Sequence, residues 1–296
     1  MDLPEEELVL PGTRACSGCA MALIYRVIMK ALGPKTIATV PASCLTVLHG
    51  MQGFCSTTFP VLHTPFETTA ASATGIAASL RNQGLDDEIT VLAIAGDGGT
   101  ADIGIQGLSG AAERGENIVY CCYDNEAYMN TGVQRSSATP YGAFTTTTPI
   151  ERKRQHKKDV PAIMEAHGIP YVATACASYP FDLFAKFRKA RSIRGTKYLH
   201  VLAPCPPGWG YPTKDTIKIG RLAVESGFWP LYEVEEGKFR LSKPSAKLLD
   251  PARRKKVVEY LRCQDRFEKL TGEELVEYQR YVDALWEKIE RRVSGG

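Results

Sequence analysis

Two polar clusters in the chain each follow directly on an apolar, strand-like run. The first is Gly-Asp-Gly-Gly, which contains Asp97 and follows residues 89–95. The second is Asp-Asn-Glu, which contains Asn125 and follows residues 117–123. In a parallel α/β sheet, both clusters would lie side by side at the carboxyl edge, where such folds bind ligands.

The residue types in these clusters suit a metal ion and a phosphate. The Asp97 carboxylate and the Asn125 side-chain carbonyl are hard oxygen donors for Mg²⁺ or Ca²⁺. The flanking glycines let the backbone approach a ligand closely, and the free N–H groups of the next helix can bind phosphate. These glycines are Gly96, Gly98 and Gly99. Together the clusters predict a divalent cation that bridges a diphosphate. Gly-Asp-Gly alone fits equally well a turn in which Asp97 only caps the helix.

Four of the nine cysteines lie at the mouth of a loop or the end of a strand. They are Cys16, Cys19, Cys44 and Cys205. Four thiolates can bind zinc or a [4Fe–4S] cluster. A structural zinc usually has two compact Cys-x-x-Cys pairs, whereas only Cys16 and Cys19 are so spaced here; spacing alone leaves the two metals about evenly matched. The other cysteines are predicted to be small buried hydrophobic residues. They are Cys55, Cys121, Cys122, Cys176 and Cys263.

The elements that must position these residues alternate between strand-like and helical patterns along most of the chain. This rhythm predicts an α/β fold with a doubly wound, mostly parallel sheet. Residues 135–160 form a long loop, which is typical of a functional or mobile segment. Residues 228–296 are predicted to add a hairpin, with its turn at Glu236 and Gly237, and a helical tail to an α/β domain of residues 1–227. The apolar stripe of that tail could cover the same domain or a partner chain.

Bulk properties exclude several classes of function. The net charge of +3 over 296 residues is too small to argue for nucleic-acid binding. The one dense basic run, residues 151–158, is predicted to be a solvated loop. No apolar run approaches the roughly 20 residues of a membrane span, and the acidic, proline-interrupted start does not resemble a signal peptide. We therefore expect a cytoplasmic protein whose cysteines are not paired in disulfides.

The Gly-Asp-Gly cluster followed by an Asn-containing strand end resembles the diphosphate signature of thiamine-diphosphate enzymes. The longer string YDNEAYMNTGVQRSSATPYGA, residues 123–143, is closer to one group. It resembles the β subunits of pyruvate:ferredoxin oxidoreductase and related 2-oxoacid:ferredoxin oxidoreductases. The resemblance extends from Gly12 to about Leu285.

The resemblance implies specific cofactors and residue roles. Mg²⁺ on the diphosphate of thiamine diphosphate would be held by Asp97, Asn125 and the backbone carbonyl of Ala127. A [4Fe–4S] cluster near this cofactor would take Cys16, Cys19, Cys44 and Cys205 as its ligands. Asn130 corresponds to a catalytic amide near the thiazolium, although a turn asparagine is a competing interpretation. Val47 and Phe66 correspond to positions that shape and cover the cofactor, and His63 is the one histidine expected near it.

The implied reaction is reversible oxidative decarboxylation of pyruvate with coenzyme A, which yields acetyl-CoA and CO₂ and passes electrons through the cluster to ferredoxin. Alternatives are another 2-oxoacid (2-oxoisovalerate, phenylglyoxylate or oxalate) or a non-catalytic, zinc-bearing structural subunit. Family members take the carboxylate that acts on the aminopyrimidine from a neighbouring α subunit, and only Glu67 is conceivable for that role here. Since Cys-x-x-Cys-x-x-Cys motifs are absent, further clusters are expected on γ or δ ferredoxin-like subunits or domains.

Overall fold

The computed structural model describes residues 3–50 and 55–295, and within them eight strands form one sheet. The strands are β1 Thr36–Pro41, β2 Val61–Thr64, β3 Thr90–Gly96, β4 Val119–Asp124, β5 Tyr171–Cys176, β6 Lys197–Leu202, β7 Tyr232–Glu235 and β8 Lys238–Leu241. Their order is β2-β1-β3-β4-β6-β5-β7-β8. The first six are parallel to one another, and β7 and β8 are antiparallel additions at one edge. The predicted mostly parallel α/β sheet is confirmed.

Helices cover both faces of this sheet. They are α1 Ala20–Leu32, α2 Cys44–His49, α3 Thr69–Asn82, α4 Ile105–Glu113, α5 Val160–Ala166, α6 Pro180–Ser192, α7 Pro206–Trp209, α8 Thr216–Glu225, α9 Lys243–Ala246, α10 Val257–Leu261 and α11 Gly272–Ser294. Alternate side chains of a strand point to opposite faces. In β4, Cys121 packs in the core that includes α1 and α6, whereas Cys122 packs in the core that includes α3, α4 and α5.

The register of the sheet places the two polar clusters side by side. Gly96, at the end of β3, pairs with Tyr123 near the end of β4. The residues that follow these strands, Asp97 and Asn125, therefore emerge at the same carboxyl edge, as predicted. From Asn125 to Asp159 the chain forms a long loop with no regular strand or helix in that described stretch, which confirms the expected irregular segment.

The C-terminal part of the chain packs on its own sheet. Glu236 and Gly237 both have positive φ, 49° and 77°, and form the predicted hairpin turn between β7 and β8. The apolar stripe of α11 is buried in a core shared with α8 and α10. Its most buried members are Tyr278, Val282, Trp286 and Ile289. None of the described helices combines the length and the apolar character needed to cross a membrane.

Candidate active site

Three oxygen-bearing groups meet where β3 and β4 end. One terminal atom of the Asn125 side-chain amide lies 2.9 Å from the carbonyl oxygen of Ala127 and 3.0 Å from Oδ1 of Asp97. If that atom is nitrogen, it donates a hydrogen bond to both oxygens. If it is oxygen, three acceptors converge and require a cation between them. Adjacent ligands of an octahedral Mg²⁺ at 2.0–2.1 Å are about 2.9 Å apart, so the predicted residues fit this ion with the Asn125 amide oxygen facing the Ala127 carbonyl and Asp97.

The electrostatic environment of Asp97 also fits a cation. Asp97 is fully buried, and its Oδ2 accepts a hydrogen bond from the Ser136 hydroxyl. Burial and the neighbouring Asp124 raise the pKa of Asp97 well above its usual range. A bound divalent cation would favour the ionised carboxylate, because it supplies the positive charge that is otherwise missing here.

The backbone of the loop after β4 is fixed by contacts from distant parts of the chain. Glu126 adopts a left-handed conformation with φ of 67°, which costs a residue other than glycine roughly 1–2 kcal/mol. Its amide donates to Oδ1 of Asp124 at 2.9 Å, and its carbonyl accepts from the Thr139 hydroxyl at 2.7 Å. Trp209 Nε1 donates to the Asn125 carbonyl at 2.7 Å. These bonds hold the turn that aims the Ala127 carbonyl at the side chain of Asn125.

A cavity of about 390 Å³ opens beside these oxygens, which is within the size range of cofactor pockets. The predicted residues that line it are Val47, Phe66, Gly96, Gly98, Gly99, Asn125, Ala127 and Asn130. A Cβ on Gly98 would lie 2.7 Å from the ring of Tyr128, so only glycine fits there without displacing that ring. No aspartate or glutamate is among the described residues that line this cavity.

The helix expected after the glycines begins irregularly. Residues Gly98–Asp102 form a π-helical turn, and α4 continues from Ile105. Short π-helical turns occur frequently at functional sites. The two segments meet at Gly104, where a Cβ would lie 2.0 Å from the carbonyl oxygen of Gly99. The close approach of the backbones at Gly99 and Gly104 therefore depends on Gly104, a glycine outside the predicted cluster.

The four predicted cysteines line a second, smaller cavity of about 80 Å³. Cys19 precedes α1, Cys44 begins α2 and Cys205 precedes α7, while Cys16 is exposed on the N-terminal loop. Burial, together with the neighbouring thiols, raises the pKa of Cys44 to about 11 and that of Cys205 to about 12. The Cys44 and Cys205 thiols are thus protonated near neutral pH unless a metal group binds to them.

The spacing of these thiols differs from that of a closed single-ion site. Within residues 3–50 and 55–295 there is no group of three or more His, Cys, Asp or Glu side chains that could hold one metal ion. In tetrahedral zinc with Zn–S bonds of 2.3 Å, the sulfurs lie about 3.8 Å apart. The cysteines instead surround a cavity, which suits a group larger than one ion.

The two cavities share part of their lining. Cys44, Val47, Asn125 and Asn130 border both of them. Asn130 is exposed, and the Val47 side chain is partly so, with 44% of the residue accessible. A cofactor in the larger cavity and a metal group in the smaller one would therefore be near neighbours.

Comparison with known proteins shows the family to which the chain belongs. Residues 43–201 match the family described as thiamine pyrophosphate enzyme, C-terminal TPP binding domain. The chain is 51% identical to the pyruvate synthase subunit PorB of Methanocaldococcus jannaschii over 96% of both chains. It is 46% identical to the ketoisovalerate oxidoreductase subunit VorB of Pyrococcus furiosus, over 98% of this chain and 94% of that one. The chain belongs to this family of 2-oxoacid oxidoreductase B subunits.

A solved structure supports the same family. A 2-oxoglutarate:ferredoxin oxidoreductase from Magnetococcus marinus superposes with a TM-score of 0.60 and 25% identity, over 69% of this chain and 68% of that one. As a B subunit, this chain is one part of a multi-subunit, thiamine-diphosphate-dependent enzyme. The fold, the domain match and the larger cavity agree, because the matched residues include both strand ends that border the cavity.

Beneath the larger cavity of this B subunit lies a buried network of charges that the sequence did not predict. Lys157 Nζ lies 2.7 Å from Asp124 Oδ2 and 2.6 Å from Glu126 Oε1. Burial would lower the pKa of Lys157, but those two carboxylates raise it above its usual value. Arg266 Nη2 lies 2.5 Å from the second Glu126 oxygen, with 3% of its side chain exposed. In the sequence, only the acidic residues around the end of β4, Asp124 and Glu126, point to such a network, since a buried carboxylate requires a counter-charge.

The expectation that residues 151–158 form a solvated loop is wrong for two of its lysines. Lys153 is 1% exposed and donates to the Ser137 carbonyl at 2.8 Å. Burial and the nearby Arg135 lower the pKa of Lys153 to about 8. Lys157 belongs to the charge network, and 17% of its side chain is exposed. The burial of single lysines cannot be predicted from a run of consecutive charges, because the partner of each side chain is set by the tertiary structure.

Other expectations have mixed outcomes. Cys121, Cys122 and Cys176 are buried as predicted, whereas Cys55 is exposed and Cys263 only partly buried, so the buried interpretation is wrong for those two. Cys55 faces the hydroxyl of Thr57 at 3.1 Å, a polar partner that the apolar interpretation did not anticipate.

Two residues considered for the cofactor site lie apart from its lining. The exposed ring of His63 contacts the ring of His49, with 5.2 Å between their centroids. Glu67 is exposed and does not border the larger cavity. The positions of His63 and Glu67 therefore do not support a role for either residue in the cofactor site.

Proposed function

We propose that this chain is the catalytic B subunit of a pyruvate:ferredoxin oxidoreductase. The assembled enzyme would convert pyruvate and coenzyme A reversibly to acetyl-CoA and CO₂, with ferredoxin as the electron acceptor. The observation that carries this proposal is the shared wall of Cys44, Val47, Asn125 and Asn130 between the two cavities. A diphosphate–cation site and a four-cysteine site next to each other are what decarboxylation coupled to electron transfer requires.

At the edge of the larger cavity, Asn125 and Ala127 from its lining and the buried Asp97 behind them would hold Mg²⁺ against the diphosphate. The backbone of Gly96, Gly98 and Gly99 would lie against the same group. When bound, thiamine diphosphate supplies the carbanion and the electron sink of the reaction. Val47 and Phe66 would fix the position of the cofactor rings by covering them. The Asn130 amide would donate a hydrogen bond to the substrate oxygen on which negative charge develops.

In the smaller cavity, Cys16, Cys19, Cys44 and Cys205 would ligate a [4Fe–4S] cluster. Such a cluster accepts the electrons of the oxidation singly. Cys44 begins the helix that also carries Val47, so one short element, α2, would contact both cofactors. The competing zinc-bearing scaffold would need only the cysteines, and the oxygen groups at Asp97 would then have no purpose.

Partner subunits would complete the site. The described lining of the larger cavity lacks the carboxylate that thiamine enzymes need at the aminopyrimidine. We propose that an α subunit provides it and also shapes the 2-oxoacid pocket, while γ or δ ferredoxin-like subunits carry further clusters.

The cysteines favour a cytoplasmic location for the enzyme. All nine are free thiols rather than disulfides, which fits a reducing compartment.

The substrate assignment favours pyruvate because pyruvate synthase subunits are among the most similar relatives, with 51% identity for one of them. 2-Oxoisovalerate is the second candidate, since a ketoisovalerate oxidoreductase subunit is 46% identical. The test is coenzyme A-dependent ferredoxin reduction by the assembled enzyme with pyruvate, 2-oxoisovalerate, phenylglyoxylate, oxalate and 2-oxoglutarate. The highest kcat/KM is expected for pyruvate. A higher value for another acid would reassign the substrate, and no reduction with any of them would overturn the proposed function.

A further inference from the structure

The loop after β4 supplies two of the three proposed cation ligands, although the loop itself is neither helix nor strand. Asn125 contributes its side chain and Ala127 its carbonyl, on either side of Glu126. The left-handed φ of Glu126, 67°, sets the angle between these two neighbours. Any movement of Glu126 would therefore displace both ligand groups together.

The Glu126 side chain lines neither cavity. It is fully buried, and each carboxylate oxygen has its own cation. Oε1 accepts from Lys157 at 2.6 Å, and Oε2 accepts from Arg266 at 2.5 Å. Lys157 also binds Asp124, so its charge is divided between two carboxylates. Arg266 is thus the cation that acts on Glu126 in particular.

Arg266 also acts on the other side of the loop. Its guanidinium carbon lies 3.8 Å from the ring centroid of Trp209, and Trp209 Nε1 donates to the Asn125 carbonyl. A hydrogen bond of 2.9 Å from Nε to Gln264 Oε1 fixes the orientation of the guanidinium. A rigid, planar cation that is both paired and stacked has a fixed position, which a flexible lysine would not reproduce.

We infer that Arg266 is a positioning residue for the cation-binding loop, acting through Glu126 and Trp209. This inference rests on the proposed function, because it assigns Asn125 and Ala127 to the cation. Arg266 lies between α10 and α11, 140 residues beyond Glu126. The C-terminal segment therefore sets the geometry of the cofactor site as well as covering the sheet.

The test compares Arg266→Met with a matched control, Arg254→Met, in the assembled enzyme. Arg254 is another nearly buried arginine of the same segment, 10% exposed and 5.4 Å from the ring centroid of Trp286, but it does not contact the loop. Mn²⁺ binding in the presence of thiamine diphosphate is followed by loss of the free-ion electron paramagnetic resonance signal. Arg266→Met is expected to weaken Mn²⁺ binding by about 10- to 100-fold, as changes behind metal ligands typically do.

Arg254→Met is expected to lower the melting temperature while Mn²⁺ affinity stays at the wild-type value. Should Arg266→Met fail to fold, Arg266→Lys keeps the charge and is expected to weaken binding by a smaller factor. Wild-type Mn²⁺ affinity in the folded Arg266 variant, or equal losses in the Arg266 and Arg254 variants, would overturn the inference alone. Failure of the wild-type enzyme to bind Mn²⁺ with thiamine diphosphate would instead remove the proposed function and the inference with it.

Discussion

The two cavities at the carboxyl edge of the sheet differ in how completely the chain builds them. On the cation side, Asp97 is buried and the loop through Asn125 and Glu126 is fixed by hydrogen bonds and buried ion pairs. On the cysteine side, Cys16 is exposed on a loop, and burial raises the pKa values of the Cys44 and Cys205 thiols. The first site is preorganised, whereas the second depends on the group that it binds to become ordered.

The largest expected effect concerns the preorganised side. Asp97→Ala should abolish thiamine-diphosphate binding, because the diphosphate loses its metal anchor while the fold persists. Calorimetric titration with Mg²⁺ and cofactor measures the loss, and circular dichroism checks the fold. A variant that binds both normally would remove Asp97 from the cation site.

Asp97→Asn is the matched variant, since it keeps the shape and removes the charge. Burial and Asp124 raise the pKa of Asp97, so its charge is unfavourable in the cofactor-free protein. Cofactor-free Asp97→Asn should therefore melt at or above the wild-type temperature although it binds cofactor poorly. Preorganisation at the expense of stability is a common trade-off at active sites.

The next effect concerns the cysteine side. Cys205→Ser should strip or destabilise the cluster, although Cys205 lies far from Cys16 in sequence, because both border the same cavity. Iron and sulfide content and the reduced paramagnetic signal measure the effect. Cys263→Ser, at a partly buried cysteine outside this cavity, is the control and should keep its iron. Unchanged iron in the Cys205 variant would rule that residue out as a ligand.

The smallest effect is expected at the shared wall. Asn130→Asp is nearly isosteric, but it puts a carboxylate where the substrate carries negative charge. Loss of one such donor typically lowers kcat by roughly 10²–10³-fold, and cofactor binding should persist because the cation ligands are intact. Asn82→Asp, at the exposed end of α3, is the control. Near-normal kcat and KM in Asn130→Asp would return the residue to a turn role.

The same contrast explains what could be predicted from the sequence. Strand ends follow from apolar runs and turn residues, and a parallel sheet gathers such ends at one edge. Asp97, Asn125, Cys44 and Cys205 could be placed in this way, whereas Cys16 and Cys19 precede α1 and no strand comes before them in the described part of the chain. The roles of all six residues were taken from family resemblance. The hairpin turn at Glu236 and Gly237 was likewise readable from local residues.

The supporting network was not readable in the same way. Glu126 and Arg266 are 140 residues apart, and neither lies in a periodic pattern. Buried charges are tolerated only when tertiary structure supplies a partner, so their positions depend on the folded chain rather than on local composition. The burial of Lys153 and Lys157 likewise depends on partners that only the folded chain supplies. The residues that perform chemistry were therefore easier to predict than the residues that hold them.

We propose that one chain holds the cation and the cluster in adjoining cavities. The most direct measurement replaces Mg²⁺ with paramagnetic Mn²⁺ in the anaerobic, reduced enzyme and records the electron paramagnetic resonance of the cluster. Since the cavities share Cys44 and Asn125, the account predicts a cluster signal that is broadened by Mn²⁺ relative to Mg²⁺. Cys205→Ser should remove the broadened signal and leave those of clusters on other subunits. Identical cluster spectra with Mn²⁺ and Mg²⁺, or broadening that survives in Cys205→Ser, would contradict the account.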